Sequence, residues 1–443
     1  MKIPPLLQLQ NNIMDLLKRI DYLKLGALLA ILFVLKSIPE YPGFTDDINC
    51  WVNWSDTIRQ NGLRNVYDGD TNYLPVYHYV LWAFSKFAPD RDSLVAYSYV
   101  LKYLTLFVEM LGLWIIYLWS GKRISFSLML ILSLFNTSFI YNNVIWGQVD
   151  GILATLAIAT LYFVYKRNYV PGALFLCVML NFKLQGIIFV PLYILVLLAQ
   201  TSLKQWLKVV LISLFTFVAM QVLILLPFMF KSGGVQQILH TLNSLVGYVP
   251  KVSSLAFNFW SLVLGSGADA TPDHLVAFAG LNYKQIGLCL FMSGLFITLF
   301  PLIRFIYMKE IMKSDIGELP REVVWISAAL ITLLFFYCNT QMHERYSHPA
   351  FIFIAALFFN NGRYWPIYLL FSFAYLMNLE FVLRALQLDN YDSSWLFNRK
   401  LIALIFGGII ISLGISLFRQ FRLADSDRSF MKKSKSTLYH PKN

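Results

Sequence analysis

Apolar runs of membrane-crossing length recur from one end of this 443-residue chain to the other, and they leave few folds open. Stretches such as Leu94–Trp119, Trp206–Phe230 and Gln285–Tyr307 reach or exceed the roughly 20 residues a helix needs to cross a hydrocarbon core. Inside lipid every backbone group must be satisfied internally, so such runs form helices or a closed barrel. No alternating ten-residue pattern favours a barrel. Composition agrees: 58% of residues are hydrophobic, mean hydropathy is +0.60, and 14% are charged. Soluble domains carry about 25% charged residues. The chain reads as an all-α polytopic membrane protein.

The net charge of +12 would suit a nucleic-acid partner, but its distribution argues otherwise. Lys and Arg stand in short clusters between the apolar runs: Lys18-Arg19 with Lys24, Lys122-Arg123, Lys166-Arg167, Lys204 with Lys208, Lys309 to Arg321, and the tail from Arg419. That is the positive-inside pattern, so the charge reports topology and no nucleic-acid partner is expected. With these clusters held in the cytoplasm, about twelve spans follow. They are Tyr22–Ile38, Leu94–Trp119, Ile124–Asn142, Ile152–Tyr165, Tyr169–Leu180, Gln185–Ala199, Trp206–Phe230, Gln285–Tyr307, Val323–Cys338, Pro349–Phe359, Tyr364–Leu379 and Leu401–Phe418. Residues 1–21 form a cytoplasmic start, 22–418 one transmembrane domain, and 419–443 a basic cytoplasmic tail expected to be disordered near anionic lipid. The outer segments are 39–92, 143–151, 231–284 and 339–349. The apolar stretch Tyr73–Phe87 is read as re-entrant or interfacial, because a full span there would put Lys122-Arg123 and Lys166-Arg167 outside. The start lacks the compact apolar core of a cleavable signal peptide. Cys50, Cys177, Cys289 and Cys338 are scattered singly, with neither disulfide nor metal-ligand spacing. No internal repeat is visible of the kind that marks a transporter built from two related halves.

The polar islands map to one side. Asp46 and Asp47 in "FTDD", Gln148 and Asp150 in "WGQVDG", Lys183 in "NFKLQG" and His343-Glu344-Arg345 in "MHERY" all fall at or just below the outer face. Ionisable groups at membrane depth are costly, by about 2.5–3.5 kcal/mol on insertion scales, and usually serve a task. "DINCWVNWSDTIRQNGL" spaces Trp51, Trp54 and Ile58 as an amphipathic helix lying on the membrane would, with Asp47 at its N-terminal end, where the dipole favours a carboxylate. A carboxylate held there suits a general base that takes a proton from a sugar hydroxyl. "WGQVDG" is either a tight turn or a pair of polar groups that hydrogen-bond a sugar. Lys183 either snorkels to the interface or, with Arg345, binds a lipid phosphate; Arg345 alternatively pairs with Glu344 or Asp150. Trp51, Trp54, Trp146 and Trp260 read mainly as interfacial belt.

These residues carry a resemblance. Asp47 to Trp54, followed by "NYLPVYHY", resembles the first outer loop of the GT-C glycosyltransferases, where an Asp precedes a Trp by seven positions and a Tyr-Pro-Pro step follows. The nearest likeness is to the dolichyl-phosphate-sugar-dependent glucosyl- and mannosyltransferases, including the second mannosyltransferase of GPI-anchor synthesis and its bacterial relatives. "WGQVDG" is similar to the family's second outer loop, "KVSSLAFNFW" (Lys251 to Trp260) to its Ser…Asn-x-Trp segment, and "MHERY" to its late His-Glu-Arg/Lys motif. Two departures stand out: Asn49 takes the place of a frequent second acid, and the Tyr-Pro-Pro step reads Tyr73-Leu74-Pro75.

The resemblance implies a GT-C-type fold whose long first outer loop carries amphipathic juxtamembrane helices. It also implies inverting transfer of one hexose, mannose or glucose, from a polyprenyl-phosphate sugar to a lipid-linked glycan or glycolipid, with no cofactor and no obligatory metal. Asp47 would then be the catalytic base. Asp46, Trp54, Tyr73, Gln148, Asp150, Asn258 and Trp260 would bind substrate, and Lys183, His343 and Arg345 the lipid phosphate. One rival is a lipid-linked oligosaccharide flippase, for which polar residues should line a path to both faces. The other is a metal-dependent transferase of whole glycans, in which Asp47 and Asp150 would form a split metal-binding pair. A bacterial plasma membrane with the site facing outward is expected, or an ER membrane with the site in the lumen. The sequon at Asn53–Ser55 lies on the presumed membrane-hugging helix, which favours the bacterial setting.

Overall fold

The computed structural model of the protein describes residues 21–245, 247, 249–388 and 394–437, with residues 245, 394 and 421–437 described by backbone alone. Most of the expected cytoplasmic start, residues 1–20, and the last six residues lie outside the described residues. Helices dominate. Among the described residues seven are long and apolar enough to cross a membrane: Tyr22–Glu40, Arg91–Trp119, Leu203–Met229, Tyr283–Ile311, Arg321–Cys338, Gly362–Leu383 and Arg399–Gln420. The pair Phe126–Leu134 and Thr137–Ile145 passes the same test only when joined, and is bent by 75°. Four shorter apolar helices accompany them: Asp150–Tyr165, Tyr169–Phe182, Leu184–Ala199 and Pro349–Asn360. This is a mostly helical, multi-pass membrane protein.

Two of the short helices form the middle of the bundle. Asp150–Tyr165 is buried at every residue from Asp150 to Leu161, and Pro349–Asn360 at every residue except Phe358. A helix covered on all sides needs no polar stripe, which is why these segments read as unbroken apolar runs. Longer helices surround them and turn large side chains such as Leu207, Phe215, Leu223, Phe296 and Ile411 outward, as a lipid-facing surface requires. The Val100–Trp119 helix shows both faces: Leu101, Thr105, Glu109, Gly112 and Ile116 are buried, whereas Leu104, Phe107, Leu111 and Trp114 are exposed.

The two ends of the bundle differ in charge. At one end Arg321 donates to the Trp119 carbonyl and to Asn360 Oδ1, both at 2.8 Å. There too Lys309 donates to the Ala199 carbonyl at 2.7 Å, and Glu310 accepts from the Leu203 amide at 2.8 Å. The two ends of the Lys309-to-Arg321 cluster thus tie helix ends together there. The opposite end holds Asp47, Asp150 and Glu344. Its backbone includes a two-residue parallel pairing of Ser253-Ser254 with Met342-His343, which fastens the 251–260 segment to the "MHERY" turn.

Two expectations need correcting. The Thr45–Asn61 helix forms where expected, but its apolar face covers protein rather than membrane: Ile48, Trp51, Val52, Trp54 and Ile58 are buried, and Trp51 meets the rings of Tyr73 and Tyr77 edge-on at 4.9 Å. Tyr77 belongs to the 11-residue Pro75–Ser85 helix and Tyr73 to the bend just before it, and together they offer the amphipathic face a partner before lipid can. The last helix, Arg399–Thr437, continues through most of the tail expected to be disordered. No Gly or Pro interrupts the chain between Gly414 and Pro441, so nothing local stops it.

Candidate functional site

Helical phase separates the two adjacent acids. Residues 47, 51, 54 and 58 share the buried face of the Thr45–Asn61 helix, while Asp46, Asn49 and Asn53 share the exposed one. Asp47 Oδ2 accepts the Trp146 indole N–H at 2.8 Å, and its Oδ1 lies 4.0 Å from Arg345 Nη2. Both acids occupy the first helical turn, where the dipole favours negative charge. The helix is stitched to "WGQVDG" by its backbone as well, since the Phe44 amide donates to the Trp146 carbonyl at 2.7 Å. Two glycines permit this approach. Gly43 has φ +89°, and a Cβ there would sit 2.8 Å from the Trp146 carbonyl; Gly147 has φ +90°, and a Cβ there would sit 2.9 Å from Ile48 Cδ1. Lys102 ties the same two loops by donating to the carbonyls of Tyr41, at 2.8 Å, and Val144, at 2.9 Å.

Arg345 is the hub. Its guanidinium is 2.7 Å from Glu344 Oε1, 3.9 Å from Asp150 Oδ2 and 4.0 Å from Asp47. Lys183 pairs with Asp150 and stands over the Tyr346 ring, 5.4 Å from its centroid. Both cations thus arrive with carboxylate partners. Donor capacity remains, because Arg345 Nε makes no hydrogen bond and the Lys183 ammonium has further protons. Burial alone would push the Glu344 carboxyl up, but the Arg345 guanidinium and neighbouring His343 outweigh it and hold Glu344 down at about 2. Glu344 therefore stabilises the fold fully above about pH 5, and that contribution fades as pH falls towards its folded value. The gap in melting midpoint between wild type and Glu344→Gln in detergent is expected to narrow steadily below about pH 5. A gap that stays constant down to about pH 3 would place the stabilisation elsewhere.

Beneath this cluster lies a second one. Glu109 Oε1 is 3.5 Å from His348 Nε2, its other oxygen accepts from Asn143 Nδ2 at 3.1 Å, and His348 Nδ1 is 3.0 Å from the Tyr375 hydroxyl. The Glu109 carboxyl lies against Gly151: a Cβ there would fall 1.9 Å from Oε1 and 2.4 Å from Cδ. Because Glu109 is buried and pinned, Gly151→Ala is expected to destabilise the protein by about 1–3 kcal/mol, the usual range for overpacking. A thermal melt in detergent measures it, and an unchanged midpoint would mean that Glu109 moves freely.

The sequence-marked residues divide into three groups. Asp47, Asp150, Lys183 and Arg345 are brought together, with His343 at the edge, its Nδ1 3.8 Å from Glu344. Gln148 is buried beside them, and neither atom of its amide has a partner within the protein. Gln185 Oε1 and Asp150 Oδ2 are likewise buried without a hydrogen bond. Such a concentration of unanswered polar atoms suits water or a polar ligand. Tyr73 adjoins the cluster; burial, with the charges of Asp150 and Asp47, raises its phenol well above the ordinary value. Trp54, Asn258 and Trp260 are engaged structurally instead. Trp54 donates to the Asp70 carbonyl at 3.0 Å, Asn258 to the Phe336 carbonyl at 3.1 Å, and Trp260 to the Cys338 carbonyl at 3.0 Å. Asp46 faces away from the cluster. The four tryptophans read as interfacial belt are all buried, because their N–H groups or ring faces find partners inside the bundle.

Sequence reasoning passed over Lys102, Glu109, Asn143 and His348. Lys102 and Glu109 had a signal, as two charged residues inside one apolar run. Among protein-family models and curated proteins, none matches this chain.

Proposed function

We propose that this protein is an inverting membrane glycosyltransferase that moves one hexose, mannose or glucose, from a polyprenyl-phosphate sugar to a hydroxyl of a lipid-linked glycan or glycolipid. The observation that carries the reading is the setting of Asp47: one oxygen fixed by Trp146, the other turned towards Arg345, with the unpartnered Gln148 amide close by. In this reading Asp47 takes the proton from the acceptor hydroxyl as its oxygen bonds to the anomeric carbon. The bond from that carbon to the phosphate oxygen breaks on the opposite face, which inverts the centre. Arg345 and Lys183 share the charge that accumulates on the departing phosphate, and His343 lies at the entrance. Gln148 and Tyr73 hydrogen-bond sugar hydroxyls.

The basic end then lies in the cytoplasm and the site faces the outside of a bacterial plasma membrane or an ER lumen. The seven long helices, the bent pair and the four shorter helices supply twelve crossings of a GT-C-type fold. The central helices are short because they stop at a polar site sunk below the membrane surface.

One observation favours a second reading. Asp47 and Asp150 approach the same point, as a metal-binding pair of a whole-glycan transferase would, but Arg345 fills the place between them. That guanidinium would have to move before a cation could bridge the pair. Purified protein in detergent with EDTA, given a short-chain polyprenyl-phosphate mannose or glucose and a panel of acceptors, tests both readings. Acceptor-dependent release of polyprenyl phosphate supports the single-hexose reading. Release only after Mg²⁺ or Mn²⁺ is restored supports the second, and none in either case overturns both.

A further inference from the structure

Residues Val276–Phe278 and Leu281–Asn282 form a small antiparallel hairpin just before the long helix Tyr283–Ile306. Its tip turns through Ala279 and Gly280, both at positive φ, as a tight two-residue turn requires. Among the described residues nothing covers it: Leu275, Val276, Phe278 and Leu281 are all exposed, Val276 by 70% and Phe278 by 75%. No charged residue lies between His274 and Lys284. A contiguous apolar tip of this kind marks a contact surface.

What covers it follows from its position. Asn282 and Gln285 close a capping box that starts the Tyr283–Ile306 helix, one of the seven of membrane-crossing length. The outward face of that helix continues directly from the hairpin as exposed Leu288, Met292 and Phe296. At about 3.3 Å per residue, the three-residue strand keeps the tip within roughly 10 Å of the first helical turn. The polar zone of one leaflet is about 6 Å deep, so a tip that turns along the helix's lipid-facing side is within reach of the acyl chains. His274 and Lys284 flank the apolar stretch where headgroups would be.

We propose that the Leu275–Leu281 hairpin is a lipid-contacting anchor, with Val276 and Phe278 seated in the leaflet at the site end of the bundle. Its base is firmly placed. Buried Asp273 accepts from Thr340 Oγ1 at 3.0 Å and from Gln341 Nε2 at 2.6 Å, immediately ahead of the turn that carries Arg345. The Tyr283 amide donates to the Leu275 carbonyl at 3.3 Å and the Lys284 amide to the Asp273 carbonyl at 3.0 Å. The anchor and the Arg345 turn thus share one support.

Nitroxide labelling of the full chain in phosphatidylcholine–phosphatidylglycerol nanodiscs tests this without any assay of activity. Phe278→Cys and Val276→Cys are each made in a background with Cys50 and Cys289 replaced by serine. Leu288→Cys serves as the lipid-facing standard and Asn61→Cys as the aqueous one. The expected result is that labels at 276 and 278 collide with oxygen severalfold more than with a water-soluble nickel chelate, as the 288 label does. Nickel access matching that at 61 would overturn the proposal, and so would shielding from both reagents, which would mean contact with protein.

Discussion

In EDTA, with a short-chain polyprenyl-phosphate sugar and a competent acceptor, Asp47→Asn is expected to lower turnover by about 10²–10⁴-fold, the share usually supplied by a positioned general base. The substitution leaves its surroundings nearly intact, because an asparagine oxygen still accepts the Trp146 indole N–H now donated at 2.8 Å. It removes the basic oxygen and the negative charge opposite Arg345. Donor binding should therefore persist while transfer is lost, a fall in kcat without a matching rise in KM. Asp46→Asn is the internal control. Asp46 points outward, away from the cluster, so its substitution should change stability by no more than about 0.5 kcal/mol and leave turnover close to wild type. Full turnover by Asp47→Asn would remove the base from this position. An equal loss in Asp46→Asn would mean that the helix sits rotated from the phase described above.

The phase of that helix was legible in the chain before any coordinates. Trp51, Trp54 and Ile58 mark one face, and Asp47 precedes them by four, seven and eleven residues, which is the same face; Asp46 precedes Asn49 and Asn53 by three and seven. Apolar helices stand in each stretch that the hydropathy pattern marks, because backbone satisfaction in lipid is a local demand. The partners inside the site were a different matter. Lys183 and Asp150 are 33 residues apart, and Trp146 and Asp47 are 99 apart. No periodicity encodes which span lies beside which, so nothing near Lys183 in the chain announced Asp150 as its partner, and only snorkelling or a lipid phosphate suggested itself. Trp260 and Asn258 were marked as substrate contacts by the likeness of their short segment to a Ser…Asn-x-Trp motif, which says nothing of what the segment packs against. The paired Ser253-Ser254 and Met342-His343 strands, with the Gln341 amide donating to the Lys251 carbonyl, show that their segment supports the "MHERY" turn. The face of the Thr45–Asn61 helix was correctly called apolar, but whether protein or lipid covers an apolar face depends on a neighbour elsewhere in the chain.

Arg345→Met is expected to destabilise the protein by about 3–5 kcal/mol, the range for removing one partner of a buried charge cluster. Asp150, Glu344 and Asp47 would then lose their shared guanidinium; Asp150 would keep Lys183 and Glu344 the neighbouring His343, and both of these carboxylates are buried. Arg345→Lys should recover little, because a point ammonium cannot present a planar fork to three carboxylates lying in different directions. The loss alone would not separate a structural hub from a group that holds a departing phosphate. The double variant Arg345→Met with Glu344→Met does. Removing both members of a buried pair is often close to neutral, so much of the melting midpoint should return. If Arg345 also steadies the leaving phosphate, turnover with the polyprenyl-phosphate sugar stays low in that refolded variant. If stability and turnover return together, Arg345 is an ion-pair scaffold only, and Lys183 must carry the phosphate.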